Sequence, residues 1–217
     1  MKIVVLGASG QTGQCVVTQA LEQGHSVTAI VRNPDKIKQK HDNLSVVKAD
    51  IFSAEELTAA FQGHEAVVSA LGFSRSDNPV TGYTESMKAV AAAMRAAQLQ
   101  RLVVMTAFYT DITSAQGRGF LVNWILIPLI KRVLTNMREM EEWLAAEAQD
   151  LRWTVVRPGG LSNRALLAQT PLQQADAQFV ADPAAATMIP RANVAQFMLA
   201  QLPEDTYTRQ VVAIAVK

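Results

Sequence analysis

The residues best placed to do chemistry stand at the start of the chain. Gly7-Ala8-Ser9-Gly10-Gln11-Thr12-Gly13 follows a short apolar run, Ile3 to Leu6, and opens a stretch with helical spacing. Each glycine has its own task at that position. Gly7 permits a tight turn, Gly10 lets backbone approach a pyrophosphate, and Gly13 lets helix and strand pack closely. The start of the helix then offers unbonded N–H groups and a positive dipole end to phosphate oxygens. A glycine triplet alone is weak evidence, but between a strand and a helix it points to a bound nucleotide.

The next chemistry-bearing residues stand at the end of the second apolar run. Sites for NAD usually place an acid there to hold the ribose hydroxyls. This chain has Val31-Arg32-Asn33, with Lys36 one turn later. Arg32 can grip a 2′-phosphate with its planar fork, and no carboxylate stands there to repel one. NADP is therefore expected over NAD. Asp50, in Ala49-Asp50-Ile51, suits the adenine amino group and equally suits a cap for the next helix.

These residues need elements to hold them. Short β-branched runs alternate with longer helical patterns, the signature of a parallel sheet covered on both faces. Strands are expected over Lys2–Leu6, Ser26–Val31, Leu44–Ala49, Ala66–Leu71, Leu102–Thr106, Trp153–Arg157 and Gln210–Ala215. Helices are expected over Gln11–Gln23, Ala54–Phe61, Thr84–Ala97 and Ala192–Gln201. Ser53 caps the second of these, with Glu56 placed for a capping box. A long helical region, Phe120 to Ala148, should break near Pro128 and Asn136, and Pro158 to Pro190 reads as irregular and polar. The fold expected is α/β: one doubly wound Rossmann domain over residues 1–217, mainly parallel, with strand order 3-2-1-4-5-6-7. Loops 107–135 and 158–190 should form a small substrate region.

Composition narrows the function classes. A net charge of +1 gives no field that asks for nucleic acid or a membrane surface. With 49% hydrophobic and 18% charged residues the chain is globular and not disordered. The single Cys15 can form no internal disulfide, which fits a reducing, cytoplasmic setting. His25, His41 and His64 lack cysteine partners at ligand spacing, so no metal is expected. No signal peptide is expected, because the first apolar run leads straight into glycines. The segment Gly119 to Ile130 is about half the length of a membrane span and is interrupted by Asn123 and Pro128. It reads as a buried or pocket-facing stretch, or as a dimer or interfacial face; a monomer or weak dimer is expected.

Taken together, the glycine loop, Val31-Arg32, Ala49-Asp50-Ile51, Leu71-Gly72 and Thr154-Val155-Val156-Arg157-Pro158-Gly159-Gly160 resemble an atypical short-chain dehydrogenase. More narrowly, the chain is similar to the NADPH-dependent flavin reductase and biliverdin-IXβ reductase group and its NmrA-like relatives. The resemblance runs almost end to end, and is weakest over residues 112–131 and 166–190. It implies that Ser9, Gln11 and Thr12 meet the pyrophosphate, Arg32 and Lys36 the 2′-phosphate, and Asp50 and Ile51 the adenine. It also implies that Leu71, Gly72 and Arg75 pass the ribose, and that Thr106 and Pro158 flank the nicotinamide.

The chain departs from short-chain dehydrogenases where they do their proton chemistry. Those enzymes commonly use a Tyr-x-x-x-Lys pair, whose lysine lowers the tyrosine pKa. Neither Tyr83, Tyr109 nor Tyr207 has a lysine four residues on, and Thr106-Ala107 stands where the family often has Thr-Ser. That argues against simple carbonyl or alcohol substrates. It argues less against a flavin or bilin, which can take hydride and receive its proton from solvent. Phe73, Phe108, Tyr109 and Trp124 can line a slot for such a flat acceptor, or can be plain core. Arg138 is either an anchor for a substrate anion or a solvated helix charge. Glu139, Glu141 and Glu142 read as an exposed face, with Glu141 able to turn inward. The function expected is an NADPH-dependent reductase of a planar conjugated acceptor, with Thr106 positioning the reactants. An NADP-binding sensor or scaffold of NmrA-like type, or an atypical dehydrogenase or isomerase, are the alternatives.

Overall fold

The structure is a computed structural model that describes residues 1–74, 79–115, 124–125, 127–168, 172–175, 179–180 and 188–216. Along the chain run β1 (Lys2–Leu6), α1 (Gln11–Glu22), β2 (Ser26–Val31), β3 (Leu44–Lys48), α2 (Ala54–Phe61) and β4 (Ala66–Ser69). Then come α3 (Gly82–Ala96), β5 (Arg101–Met105), α4 (Ile127–Glu147) and β6 (Arg152–Pro158). The last part holds β7 (Gly160–Ser162), β8 (Leu172–Ala175), β9 (Met188–Pro190), α5 (Arg191–Ala200) and β10 (Gln210–Val216).

The main sheet has the order β3-β2-β1-β4-β5-β6-β10-β8, so the expected order holds with β10 as its seventh strand. Those seven strands pair in parallel, and β8 adds an antiparallel edge on β10. Alternate side chains of each central strand enter opposite layers, as a pleated strand requires. Val4 and Leu6 pack with α2, α3 and α4 in one layer, while Ile3 and Val5 pack with α1 and α5 in the other. Each such fully buried side chain contributes about 1.5–3 kcal/mol, so β1 is anchored from both faces. Its C-terminal end, where the glycine loop begins, is correspondingly rigid.

Two expectations about the chain need correction. Residues 158–190 were expected to be irregular, yet they carry β7, β8 and β9, with β7 and β9 paired as a small separate sheet. The sequence of β8, Leu-Gln-Gln-Ala, lacks β-branched residues; it is a strand because it covers the open edge of β10. The long helix was expected to break near Pro128 and Asn136; α4 begins at Ile127, next to Pro128, and runs unbroken through Asn136. Pro128 falls in the first turn, where a missing N–H removes no intrahelical bond. Asn136 is buried and turns its amide to the start of α3 instead of competing with its own backbone. Residues 120–123 and 126, the start of that expected helix, lie outside the described residues. Among the described residues, no helix is long and apolar enough to cross a membrane.

Candidate functional site

The glycine loop sits at the C-terminal edge of the sheet, where β1 hands over to α1. Gly7 has φ +75°, and a Cβ there would lie 2.5 Å from the Ala70 carbonyl oxygen at the end of β4. A Cβ on Gly13 would stand 2.1 Å from the Gly7 oxygen, so this position lets α1 press onto the loop, as the spacing predicts. Gly10 is the N-cap of α1; the helix start has no side-chain cap and no acid in its first turn. Its first N–H groups are therefore open to an anion. Gly7, Ser9, Gly10, Gln11 and Thr12 line a cleft of about 730 Å³.

The other walls come from the ends of the neighbouring strands. Val31 and Arg32 leave β2 into the cleft, Ile51 follows β3, and Leu71, Gly72 and Phe73 follow β4. Met105 and Thr106 close β5, and Met137 arrives from α4. A glycine cradle beside an uncapped helix start, with an arginine and no acid at the end of β2, fits an adenine dinucleotide carrying phosphates. Lys36 ends a short turn of helix after Arg32 and is exposed outside this lining. Asp50 is exposed as well: its carboxylate accepts from the Phe52 N–H at 3.0 Å, while its own N–H donates to Glu56. Glu56 thus closes on Asp50, and Ser53 caps α2 by accepting from the Glu56 N–H at 3.2 Å. Arg75 lies outside the described residues.

At the reactive end a buried polar network stands behind Thr106. Thr106 Oγ1 and Thr110 Oγ1 each donate to Glu141 at 2.8 Å, one to each carboxylate oxygen. Arg157 from β6 donates to the same two oxygens, at 3.0 Å through Nε and 2.5 Å through Nη2. Glu141 and Arg157 are both nearly inaccessible, at 3% and 5% side-chain exposure. With four donors aimed at it, Glu141 is fully used. The Thr106 proton is committed to it, so Thr106 offers the cleft an acceptor and not an acid. Tyr83, from the start of α3, also lines the cleft; burial pushes its hydroxyl up, so it stays neutral at ordinary pH. Its ring meets Phe73 edge-on at 4.8 Å, with Phe52 6.0 Å beyond.

Of the expected acceptor-side residues, only Phe73 lines this cleft. The Phe108 N–H donates to the Pro158 carbonyl at 3.0 Å, which ties the loop after β5 to the end of β6. Tyr109 has φ +61° and stacks between Phe108 and Phe179, at 5.8 and 5.4 Å. Trp124 is 72% exposed. Arg138 pairs with Glu142 at 2.6 Å on the outer face of α4, one turn from its neighbour. Sequence reasoning missed Thr110, Arg157, Tyr83 and Arg191, and grouped Glu141 with an exposed face while leaving it able to turn inward, which is what it does. The available signal was spacing: Glu141 falls on the buried stripe Leu134, Met137, Glu141, Leu144.

Residues 7–205 match the model of a family described as NAD(P)H-binding. The chain belongs to that family. It is a nicotinamide-cofactor-binding protein on a Rossmann-type fold. A chloroplastic protein of Arabidopsis thaliana is 28% identical over 169 residues, covering 75% of this chain and 60% of that one. YwnB of Bacillus subtilis is 34% identical over 106 residues, covering 48% of this chain and 46% of its own. The chain thus spans less than two thirds of either relative's length. Among solved structures, ChuY, an anaerobillin reductase from Escherichia coli O157:H7, superposes with a TM-score of 0.77 at 18% identity, covering 99% of this chain and 96% of its own. At that identity the likeness is one of fold.

Proposed function

We propose that the protein is an NADPH-dependent reductase that passes hydride to a planar conjugated acceptor, a flavin or a linear tetrapyrrole. The observation that carries this reading is the chemistry of the reactive end. The Thr106 hydroxyl donates its hydrogen bond to Glu141, Glu141 is saturated by donors, and the cleft-facing residue of α4 is Met137. None of the three tyrosines has a lysine four residues on, so alcohol oxidation, which must shed a hydroxyl proton as hydride leaves, is poorly served. A conjugated acceptor needs position and exclusion of water more than a protein acid.

The bound nicotinamide supplies the hydride. Arg32 holds the 2′-phosphate, the start of α1 holds the pyrophosphate, and Ile51 packs under the adenine. Thr106 accepts a hydrogen bond from the nicotinamide end, and Phe73 and Tyr83 supply an apolar wall. The name of ChuY supports a bilin-like acceptor by analogy of fold.

The test is single-turnover mixing of NADPH-loaded protein with excess FMN or a bilin, followed by nicotinamide absorbance. A decay faster than the protein-free control is expected, with slow or no reduction of aliphatic ketones. A trace no faster than that control for every flavin and bilin overturns the reductase and favours an NADP-binding sensor. Cofactor choice is tested by binding. NADPH should bind at least about tenfold more tightly than NADH, and Arg32→Ala should remove most of that gap, as a charge-assisted contact of roughly 1.5–3 kcal/mol would. Equal affinities in the unmodified protein would sink the NADP assignment.

A further inference from the structure

Among its described lining residues the cleft has no carboxylate and two cations, Arg32 and Arg191. Arg32 stands at the end of β2, where a 2′-phosphate is read. The loop from Gly7 to Gly13 carries no cation at all. A dinucleotide pyrophosphate bears two negative charges, whereas a helix start is worth only about half of one positive charge. We propose that Arg191, the first residue of α5, supplies the missing charge as a direct ligand of the cofactor pyrophosphate. The proposal rests on the cleft being the cofactor site.

The setting of Arg191 is what a waiting cation would look like. α5 has no acid in its first turn, and Arg191 stands at the helix end where a cation meets a dipole of its own sign. The opposite end of the same helix is conventional: Arg101 donates through Nε and Nη2 to the carbonyl of Gln201, the C-cap. An arginine that opposes its helix end needs an anion nearby. None of the ion pairs among the described residues includes Arg191. Its Nη1 donates to Asn163 Oδ1 at 2.6 Å, which orients one arm of the fork and leaves the rest.

Its location is also fixed. Gln19 of α1 donates to the Ala192 carbonyl at 2.8 Å, locking the start of α5 against α1. Gly10, Gln11 and Arg191 line the same cleft, and Gln11 and Arg191 also share a neighbouring groove, so two helix starts and one guanidinium border the cleft with no acid among its described lining. Arg191 also borders a groove of about 560 Å³ beside Gln14 and Cys15. A ligand in that groove is the competing use of this arginine, and the experiment separates the two.

The experiment compares Arg191→Ala and Arg191→Lys with the unmodified protein by titration calorimetry against NADPH, NADH, ADP-ribose and adenosine 2′-monophosphate. Arg191→Ala should weaken NADPH, NADH and ADP-ribose alike, by about tenfold to a hundredfold, because all three carry the pyrophosphate. Adenosine 2′-monophosphate lacks it and should bind as before. Arg191→Lys should recover part of the loss, since it keeps the charge and loses the fork. Arg32→Ala gives the opposite pattern, affecting NADPH and adenosine 2′-monophosphate alone. Unchanged NADH and ADP-ribose affinities in Arg191→Ala overturn the proposal while leaving the cofactor reading intact. An equal loss for adenosine 2′-monophosphate assigns the effect to a damaged fold and overturns it too. If the unmodified protein binds none of the four, the cofactor reading fails and this proposal with it.

Discussion

At the scale of single residues, the pair Glu141–Arg157 matters most, because both charges are buried against each other and two threonine hydroxyls also donate to the carboxylate. Removing one partner of such a pair costs about 3–5 kcal/mol, whereas removing both in favour of apolar side chains is often close to neutral. Glu141→Leu should therefore lower the urea unfolding free energy more than Glu141→Leu with Arg157→Met. Additive losses in that double-mutant cycle would show that the two do not act as a unit. The residue scale is also where the sequence misled. Three glutamates within four positions of α4 read as one exposed face that only Glu141 could leave; Glu142 pairs outward with Arg138 and Glu141 points into the core. Local pattern does not carry that difference, because it is made by Arg157, sixteen residues away on β6. The glycine loop was legible for the opposite reason: its constraints act between neighbours, as the contact of Gly13 with the Gly7 oxygen demonstrates.

At the scale of elements, helices α3 and α4 are joined by one amide. Asn136 Oδ1 accepts from the Tyr83 N–H at 2.9 Å and the Thr84 N–H at 3.4 Å, while its Nδ2 donates to Thr84 Oγ1 and Glu139 at 2.8 Å. The start of α3 has no cap of its own, since Thr81 makes no side-chain cap bond. Asn136 thus serves as a helix cap delivered from a different helix. Losing a cap typically costs about 1 kcal/mol, and burial raises the cost of the N–H groups left behind. Asn136→Ala should lower stability by about 1–2 kcal/mol and speed hydrogen exchange at Tyr83 and Thr84 more than elsewhere in α3. Exchange that rises evenly along α3 would argue against the cap. The same residue explains why a break was expected in α4: asparagine usually competes with its own backbone, and only the neighbouring helix gives it other work. Strand positions were legible from apolar runs, because central strands are buried on both faces. β8 was not, since its pairing comes from β10 and not from its own composition.

At the scale of the whole molecule, acid sensitivity follows from surface clamps that join separate parts of the chain. Arg95 of α3 donates to both oxygens of Asp150, just before β6, at 2.8 and 2.7 Å. That side-chain hydrogen bond is the main reason the Asp150 carboxyl is held below its ordinary value of 3.8. A carboxyl with a depressed folded pKa stabilises the fold above its unfolded pKa, and the contribution is lost as pH falls through the folded value. Asp150→Asn should therefore cost about 0.2–1 kcal/mol at pH 7, discounted for exposure, with the difference from the parent fading below about pH 4. A difference that persists undiminished at pH 2 would contradict the assignment.

The position of β10 has a further consequence. It is the last strand of the sheet to be translated, yet it lies inside the sheet, between β6 and β8, and α5 precedes it closely. A nascent chain can assemble β3-β2-β1-β4-β5-β6 and the helical layer of α2, α3 and α4 while the other face is still half built. Until α5 and β10 leave the ribosome, the part of the apolar side of α1 (Val16, Val17, Leu21) that packs with α5 and the free edge of β6 stay uncovered. Such a chain exposes both a greasy surface and an unpaired strand, the two features that invite aggregation and chaperones. Synthesis of α5 and β10 thus brings Arg191 to the cleft and closes the free edge of β6 within one short stretch of chain.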